Sequence, residues 1–472
     1  MIKKFLKETL HVITVALLIG AIAGCGAQSN PPEGSHGPEA LIFVGNDGNG
    51  TVSVIEHNSE GNSVARTIPL GSGDVGDMVA TTEDHIFVNV TDNDQVAAID
   101  PVVDGLPELR NFLPVGERPV HIYRDPEGTR VWVMNDGDAT GGACKTSGFG
   151  GAATSSVTVI QNHEVGNDEG SSGAGGLGEV IATICVGRGH HKATFSFPTS
   201  NAPTVPHRTF VSNISDGTMS VIDNEPASDN YLKVIATIDL CDPDRQANGC
   251  DADLSTSNSA SPHGIDYSPV SGKIYNANAG YGSVAVIDPV TNTIEATIDI
   301  GYSNKLHISP EGRFVAIKGT DKTSDTNHVI GKLTVINVAD NSFIQVNIQD
   351  VHPDSFEFTP DGSKLYVTSA TTGSDVQKAN LKKDVLLVFD TSALPDRITL
   401  IKEIQVGEAN GSHRSLAIHE HDGIAEHLFV PNPADGTVSV VDIRRDEVED
   451  TVTVGGEPSS ILVFPVEGSD SH

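Results

Sequence analysis

Aromatic side chains are scarce in this chain. There is one Trp, and Phe, Tyr and Trp together make up 5% of 472 residues, which argues against a surface built to stack sugars. Basic residues are also few, with 29 Lys and Arg against 63 Asp and Glu and a formal net charge of −34. That balance argues against nucleic acid and against anionic membrane surfaces as partners. No nucleophile elbow, phosphate-binding loop or Cys-x-x-Cys-His for haem attachment is present. The apolar run from Val12 to Ala23 is too short for a comfortable membrane span. What the chain has in quantity is turn residues: 48 Gly and 25 Pro, spread along its length. With 38% hydrophobic residues to fill a core, this composition suits an all-β protein with many tight turns.

The N-terminus is set apart from the rest. Met1-Ile2-Lys3-Lys4 is basic, the apolar run follows, and Ile22-Ala23-Gly24-Cys25 resembles a bacterial lipobox. The resemblance implies a signal peptide over residues 1–24 and a lipidated Cys25 as the mature N-terminus. The protein would then be exported, held to the membrane through its lipid alone, on the periplasmic or cell-surface side. Gly26 gives no inner-membrane retention signal. Residues 25–39 form a polar Pro/Gly tether, 40–466 the folded domain and 467–472 a tail. In an exported chain the four remaining cysteines suggest two disulfides, Cys241 with Cys250 closing a short loop and Cys144 with Cys185. A thiolate metal site is the alternative.

A repeat organises residues 40–466. A short apolar strand is followed by a turn of the Ser-Pro-Glu-Gly type, a second strand, a polar residue such as Asn, Asp-Gly, a third strand ending in Ile-Asp, and a fourth ending in Val-Gly. The third strand is clearest and recurs eight times, as in Met219-Ser220-Val221-Ile222-Asp223 and Val284-Ala285-Val286-Ile287-Asp288. Short β-branched strands in fours are propeller blades. The expected fold is therefore all-β, a single β-propeller of eight four-stranded blades, with seven as the fallback. The first repeat lacks its innermost strand, which Ser459 to Phe464 can supply beside Leu41 to Val44, so N- and C-terminal strands close one blade. Naming the strands A to D outward puts the D–A and B–C connections on one face, the top. The long loops from Asn135 to Ser155, Gly319 to Lys332, Ser369 to Asp384 and Leu240 to Pro262 all belong there. Tyr366-Val367-Thr368-Ser369 and Phe210-Val211-Ser212-Asn213 resemble the signature of YVTN-type bacterial propellers, a family of the lactonase and YncE kind. That resemblance implies the fold and leaves the activity open.

Histidine marks the candidate site. His121, the pair His190-His191, His263, His307, His352 and His413 all fall in the few residues that open an A strand, at the top mouth of the channel. Several imidazoles with few thiolates suit copper, zinc, iron or nickel, and the seven are expected to converge on the channel axis. Asp266, Asp354 and Glu357 are candidate partners for their ring N–H groups. Lys192, Lys305 and Arg414 adjoin them, and the two lysines are the candidate catalytic groups, placed to polarise a bound oxygen atom. His328, in a long top loop, is within reach of the same mouth. His85, His207 and His427 precede B strands and are read as surface or turn residues on the bottom face. Asp242, Asp244, Asp251 and Asp253 form an acidic loop that is a candidate for calcium, without EF-hand spacing.

At these residues a second resemblance enters. Ser261-Pro262-His263-Gly264, followed by Ser268-Pro269 and Tyr275-Asn276-Ala277-Asn278, is similar to a ligand segment of nitrous oxide reductase, as are His190-His191 and Lys305-Leu306-His307. The resemblance implies a multinuclear copper–sulfide cluster on seven histidines, reducing nitrous oxide to dinitrogen. The dicopper electron-entry domain of that family, with its Cys-x-x-x-Cys, has no counterpart here. Electrons would come from an external donor such as a cytochrome c or a cupredoxin. The rival expectations are a non-catalytic YVTN-type binding protein, a haem-d1-type propeller using one or two histidines, and a lactonase-like hydrolase.

Overall fold

A computed structural model describes residues 38–466, save 83, 104–105, 138–143, 145–153, 166–175 and 412–413. Eight antiparallel four-stranded sheets follow one another along the chain. Seven are contiguous in sequence. The eighth combines both ends, with Glu457–Pro465 pairing to Ala40–Asp47 and continuing outward through Thr51–Asn58 and Gly61–Pro69. Val44 faces Ile461 and Phe43 faces Leu462 across this closure. The closure pairs the inner edge of the first sheet and joins the ring's two ends.

Side-chain pattern explains the layering. The B and C strands are buried on both faces between neighbouring blades, so they read as continuous apolar runs such as Val385–Asp390 and Ser283–Asp288. The outer D strands alternate, one face packed and one in solvent, as in Glu447–Thr453. Adjoining blades share cores, for example Trp132, Met134, Val159 and Val211 between the third and fourth.

The Asn of the repeat is an interior clamp. Asn135 Nδ2 donates to Ser156 Oγ and Thr158 Oγ1 at 3.2 and 3.0 Å. Asn213 does the same to Thr218 and Ser220, and Asn432 to Thr437 and Ser439. The glycine that ends strand D exists to admit this clamp. A Cβ on Gly187 or Gly407 would lie 2.5 or 2.4 Å from the Asn213 or Asn432 side chain, closer than any side chain tolerates.

Two loops differ from expectation. The sixth blade's B and C strands, Phe314–Asp321 and Ile330–Asn337, stay paired out to Asp321 and Ile330, so the loop expected from Gly319 to Lys332 is shorter. The seventh blade's B–C loop carries a helical turn, Asp375–Asn380. It is capped reciprocally by Ser374 and Gln377, a pairing whose spacing is legible in the sequence. Cys144 bonds to Cys185 and Cys241 to Cys250. Cys25, the lipobox and the tail lie outside the described residues.

Candidate metal centre at the channel mouth

In four blades the opening of the A strand is irregular, and His121 and His263 lie at two of these places. Pairing with strand B slips between Val75 and Met78, Pro119 and His121, Pro262 and Ile265, and Pro353 and Phe356. A bulge re-aims the side chains around it. Four blades therefore turn a residue of this stretch toward the channel instead of keeping strict alternation.

Three of the histidines line one cavity of about 400 Å³, namely His121, His190 and His263, with Lys192, Lys305, Lys318, Arg118, Asp77 and Asp47 on the same walls. His121 and His190 approach most closely. Their Nε2 atoms are 2.9 Å apart, and each ring is held from behind by a carboxylate. His121 Nδ1 is 2.5 Å from Asp77 Oδ2, and His190 Nδ1 is 2.6 Å from Asp136 Oδ2. The His263 ring stacks on His190 with centroids 5.1 Å apart, and its Nδ1 is buried with no partner among the described residues.

Charge sets the protonation. Burial opposes the Asp77 carboxylate, yet its hydrogen bond from His121 and the charges of Lys192 and Lys305 outweigh it and hold Asp77 well below the usual carboxylate range. Burial first, then Lys192, pushes His121 down to about 3 despite Asp77. Burial and the Lys192 charge likewise push His263 down. At neutral pH, then, Asp77 is ionised and His121 is neutral with its Nδ1–H donated to Asp77, which leaves Nε2 as a lone pair. Asp136 accepts the Nδ1–H of His190 and also the His191 backbone N–H at 3.1 Å. Two lone pairs therefore face each other across 2.9 Å, and a cation, proton or metal, must satisfy them. Lys192, whose Nζ is 3.0 Å from His121 Nδ1, is itself lowered to about 8 by burial and Lys305.

The remaining histidines are placed differently. His191 is fully buried and gives Nδ1–H to the Ser212 carbonyl at 2.7 Å. His352 lines an adjoining cavity that His263 also borders, with Nδ1 2.8 Å from Thr320 Oγ1. His307 packs edge-on to Phe356 and sits 4.0 Å from Asp266. Enclosure and Lys305 push it down to about 3, although part of its ring is solvent-accessible. His413 lies outside the described residues. Among the described residues, three of the seven expected rings, His121, His190 and His263, line one cavity. His190 and His191 precede the strand that opens at Ala193; His190 lines the cavity, whereas His191 turns onto the Ser212 carbonyl.

Arg414 is a correction. It is fully buried and spends its guanidinium on the carbonyls of Gly407 and Ser369, so it braces loops and does not reach the cavity. Asp354 pairs with Lys318 at 3.4 Å, and Asp266 accepts the Ile308 N–H. Glu357 keeps an accessible surface but is enclosed by the surrounding protein, which pushes its carboxyl up to about 7. Lys305 donates to Ser355 Oγ at 3.1 Å. His328 pairs with Asp350 at 2.7 Å and lines neither cavity. In the acidic loop, Asp242 is engaged by Arg245 and the Asp244 N–H, and Asp251 by the Asp253 N–H and Thr256.

Asp77 and Asp136, the partners that orient the pair, were not singled out from sequence. The signal was available. Asp77 is the third residue of strand A in the second blade, as His121 is in the third, and Asp136 follows the clamp residue Asn135.

No family model matches this chain, and no curated protein matches it. Solved structures do. The structure of apo AztD from Citrobacter koseri superposes with a TM-score of 0.55 at 13% identity, covering 91% of this chain and 98% of that one. Dihydro-heme d1 dehydrogenase NirN, in complex with DHE, superposes with a TM-score of 0.56 at 12% identity, covering 92% and 78%. The likeness is one of fold. At these identities the neighbours agree that the chain is a β-propeller and carry no activity over to it.

Proposed function

We propose that this chain is an exported, lipid-anchored metalloprotein that holds copper at His121 and His190 and uses it in a redox reaction on a small molecule in the adjoining cavity. The observation that carries this is the pair of carboxylate-backed imidazoles whose Nε2 lone pairs face each other at 2.9 Å. Two nitrogens each about 2 Å from one ion span about that distance when they subtend roughly a right angle, the tetragonal arrangement that favours Cu(II). The unpartnered Nδ1 of His263 beside them is a further nitrogen available to the site. Bound copper would supply one-electron chemistry and Lewis acidity.

The chain's own residues do the rest. Asp77 and Asp136 fix the tautomers and orientation of the two rings. Lys192, Lys305 and Lys318 crowd cationic amines onto one cavity, which favours an anionic or electron-rich ligand. Lys192, lowered to about 8, is the amine best placed to give up a proton near neutrality. Electrons would come from an external donor, a cytochrome c or a cupredoxin.

Nitrous oxide is the substrate named by the sequence resemblance, and its reduction takes two electrons and two protons to give dinitrogen and water. The seven-imidazole copper–sulfide cluster of that family calls for more rings than the three gathered among the described residues, which support a smaller copper site. The test is metal analysis and electron paramagnetic resonance of anaerobically purified protein, wild type against His190→Ala, with nitrous oxide and oxyanion substrates assayed under a reduced donor. Copper with nitrogen hyperfine structure, lost in the variant, supports the copper site. Equal copper in both, or none in the wild type, overturns it. Copper without nitrous oxide turnover removes that substrate alone. A second reading, a non-catalytic binding propeller, draws on the same lysine-lined cavity as an anion receptor, and anion binding by the copper-free His190→Ala variant would favour it.

A further inference from the structure

On the opposite face, where the last blade meets the first, three more imidazoles come together. His57 ends the C strand of the first blade (Thr51–Asn58), while His419 and His427 lie in the A and B strands of the eighth (Ala417–His421 and Ile424–Asn432). One ring nitrogen from each lies within 4.8 Å of the other two, and among the described residues this group is alone in doing so. His57 and His419 are buried and His427 nearly so. His427, expected to be a surface or turn residue, is instead part of a cluster with His57 and His419, which carry no signal in the sequence.

Hydrogen bonds decide which nitrogens are free. Asn62 Nδ2 donates to Asp450 Oδ2 at 2.9 Å, so its Oδ1 faces His57 and accepts the Nδ1–H at 2.7 Å. The His57 Nε2 is therefore a lone pair. His427 Nε2 is 2.8 Å from Glu449 Oε1 and donates to it, which leaves His427 Nδ1 as a lone pair. These two lone pairs face each other at 3.1 Å. A proton shared between them would satisfy that pair alone. The third ring, His419, is 5.0 Å from His57 by centroids and has a buried Nδ1 with no partner among the described residues. A cation bound by all three rings would satisfy the facing nitrogens and the third ring together.

We propose that His57, His419 and His427 bind a divalent ion of the zinc class and that this ion staples the ring closure. Three neutral imidazoles, two of them oriented by a carboxylate or an amide–carboxylate relay, are a zinc donor set with a fourth position left over. His57 and His427 border a cavity of about 610 Å³ whose walls also carry Glu39, Glu426, Glu449 and Asp450 against the single Arg444, an excess of carboxylates that attracts a cation. The site joins residues 370 apart in sequence, so the ion ties the first blade to the last and stabilises the folded ring by mass action.

The test uses the full chain carrying His190→Ala, so that the channel mouth is silent, after treatment with chelator. Zinc is titrated in by calorimetry, the thermal midpoint is followed, and cobalt(II) is added as a spectroscopic probe. The expected result is one zinc bound per chain, a midpoint that climbs with zinc concentration, and visible absorption typical of tetrahedral cobalt. All three should vanish in His419→Phe, which keeps a ring in the buried space. Asn62→Leu, at the cavity rim, should fold normally and bind zinc about 10–100-fold more weakly, which keeps the test decisive if His419→Phe does not fold. A midpoint indifferent to zinc, or equal zinc uptake with and without His419 or Asn62, overturns the proposal.

Discussion

The channel mouth and the closure seam present the same device in opposite surroundings. In each, two imidazoles turn lone pairs toward one another, at 2.9 Å between His121 and His190 and at 3.1 Å between His57 and His427. In each, the far nitrogen of both rings is tied to a carboxylate or to an amide held by one. The environments diverge. Lys192, Lys305 and Lys318 border the channel pair, whereas Glu426, Glu449 and Asp450 border the seam. Lysines beside a metal raise the cost of placing a dication there and favour an anionic partner in the cavity, which is the arrangement of a reacting centre. Carboxylates beside a metal favour retention of the ion, which is the arrangement of a staple. Geometry at the imidazoles is thus shared, and on the readings proposed above the surrounding charge would separate a working site from a holding one.

The strongest way to break this comparison is to remove a ligand from one site and read both. His190→Ala should abolish copper binding at the mouth and leave zinc binding at the seam intact, as measured by metal content after dialysis against each ion. Loss of both would merge the two sites into one cooperative unit.

A gentler cut is at the orienting carboxylates. Asp136→Asn should weaken copper about 10–100-fold and Glu449→Gln should weaken zinc by a similar factor, each without effect on the other metal. Competition titrations with a chromophoric chelator would read both.

The disulfides sharpen the difference in scaffolding. Cys185 is bonded to Cys144 five residues ahead of His190, so Cys144→Ser with Cys185→Ser should cost about 2–4 kcal/mol of stability and weaken copper. Zinc at the seam, far from that loop, should be retained. Denaturant midpoints and metal titrations on the same variant would show it.

Acid should act on both sites with one sign. Burial first, then Lys192, holds His121 at about 3, and burial, then His57 and His427, holds His419 at about 4, against 6.5 for an exposed imidazole. Between about 4 and 6.5 the unfolded chain binds protons that the folded chain refuses. Stability of the metal-free protein should therefore rise with pH through that window and fall as acid is added, by at most ~1.4 kcal/mol per pH unit for each histidine. Urea midpoints from pH 7 downward should flatten in His419→Phe. The smallest effect expected is that of His207→Ala. That ring is partly exposed and only 3.5 Å from Glu127, so its removal should shift stability within about 0.5 kcal/mol and disturb neither metal.

Much of the architecture was legible in the chain. The repeat, the eight blades and the closing strand follow from strand patterning and turn chemistry, which are local. The channel histidines were legible as candidates because they recur at one place in the repeat. Their orienting partners were harder to see, since Asp77 and Asp136 are different residue types on other blades. The seam cluster had no sequence signal at all, because His57 lies 370 residues from His427 and neither occupies a distinctive place in its repeat.

By itself, then, the sequence determined which side chains could be brought to the mouth of the channel, because a period of two along strands and a fixed strand order decide faces and ends. Only the tertiary structure decided which lone pairs meet. That depends on bulges that re-aim individual residues, on carboxylates and amides from neighbouring blades that choose the tautomer, and on ring closure, which sets the last blade against the first. Each of these is a distance between residues remote in sequence, and a distance of 2.9 Å rather than 6 Å is what separates a ligand pair from two histidines.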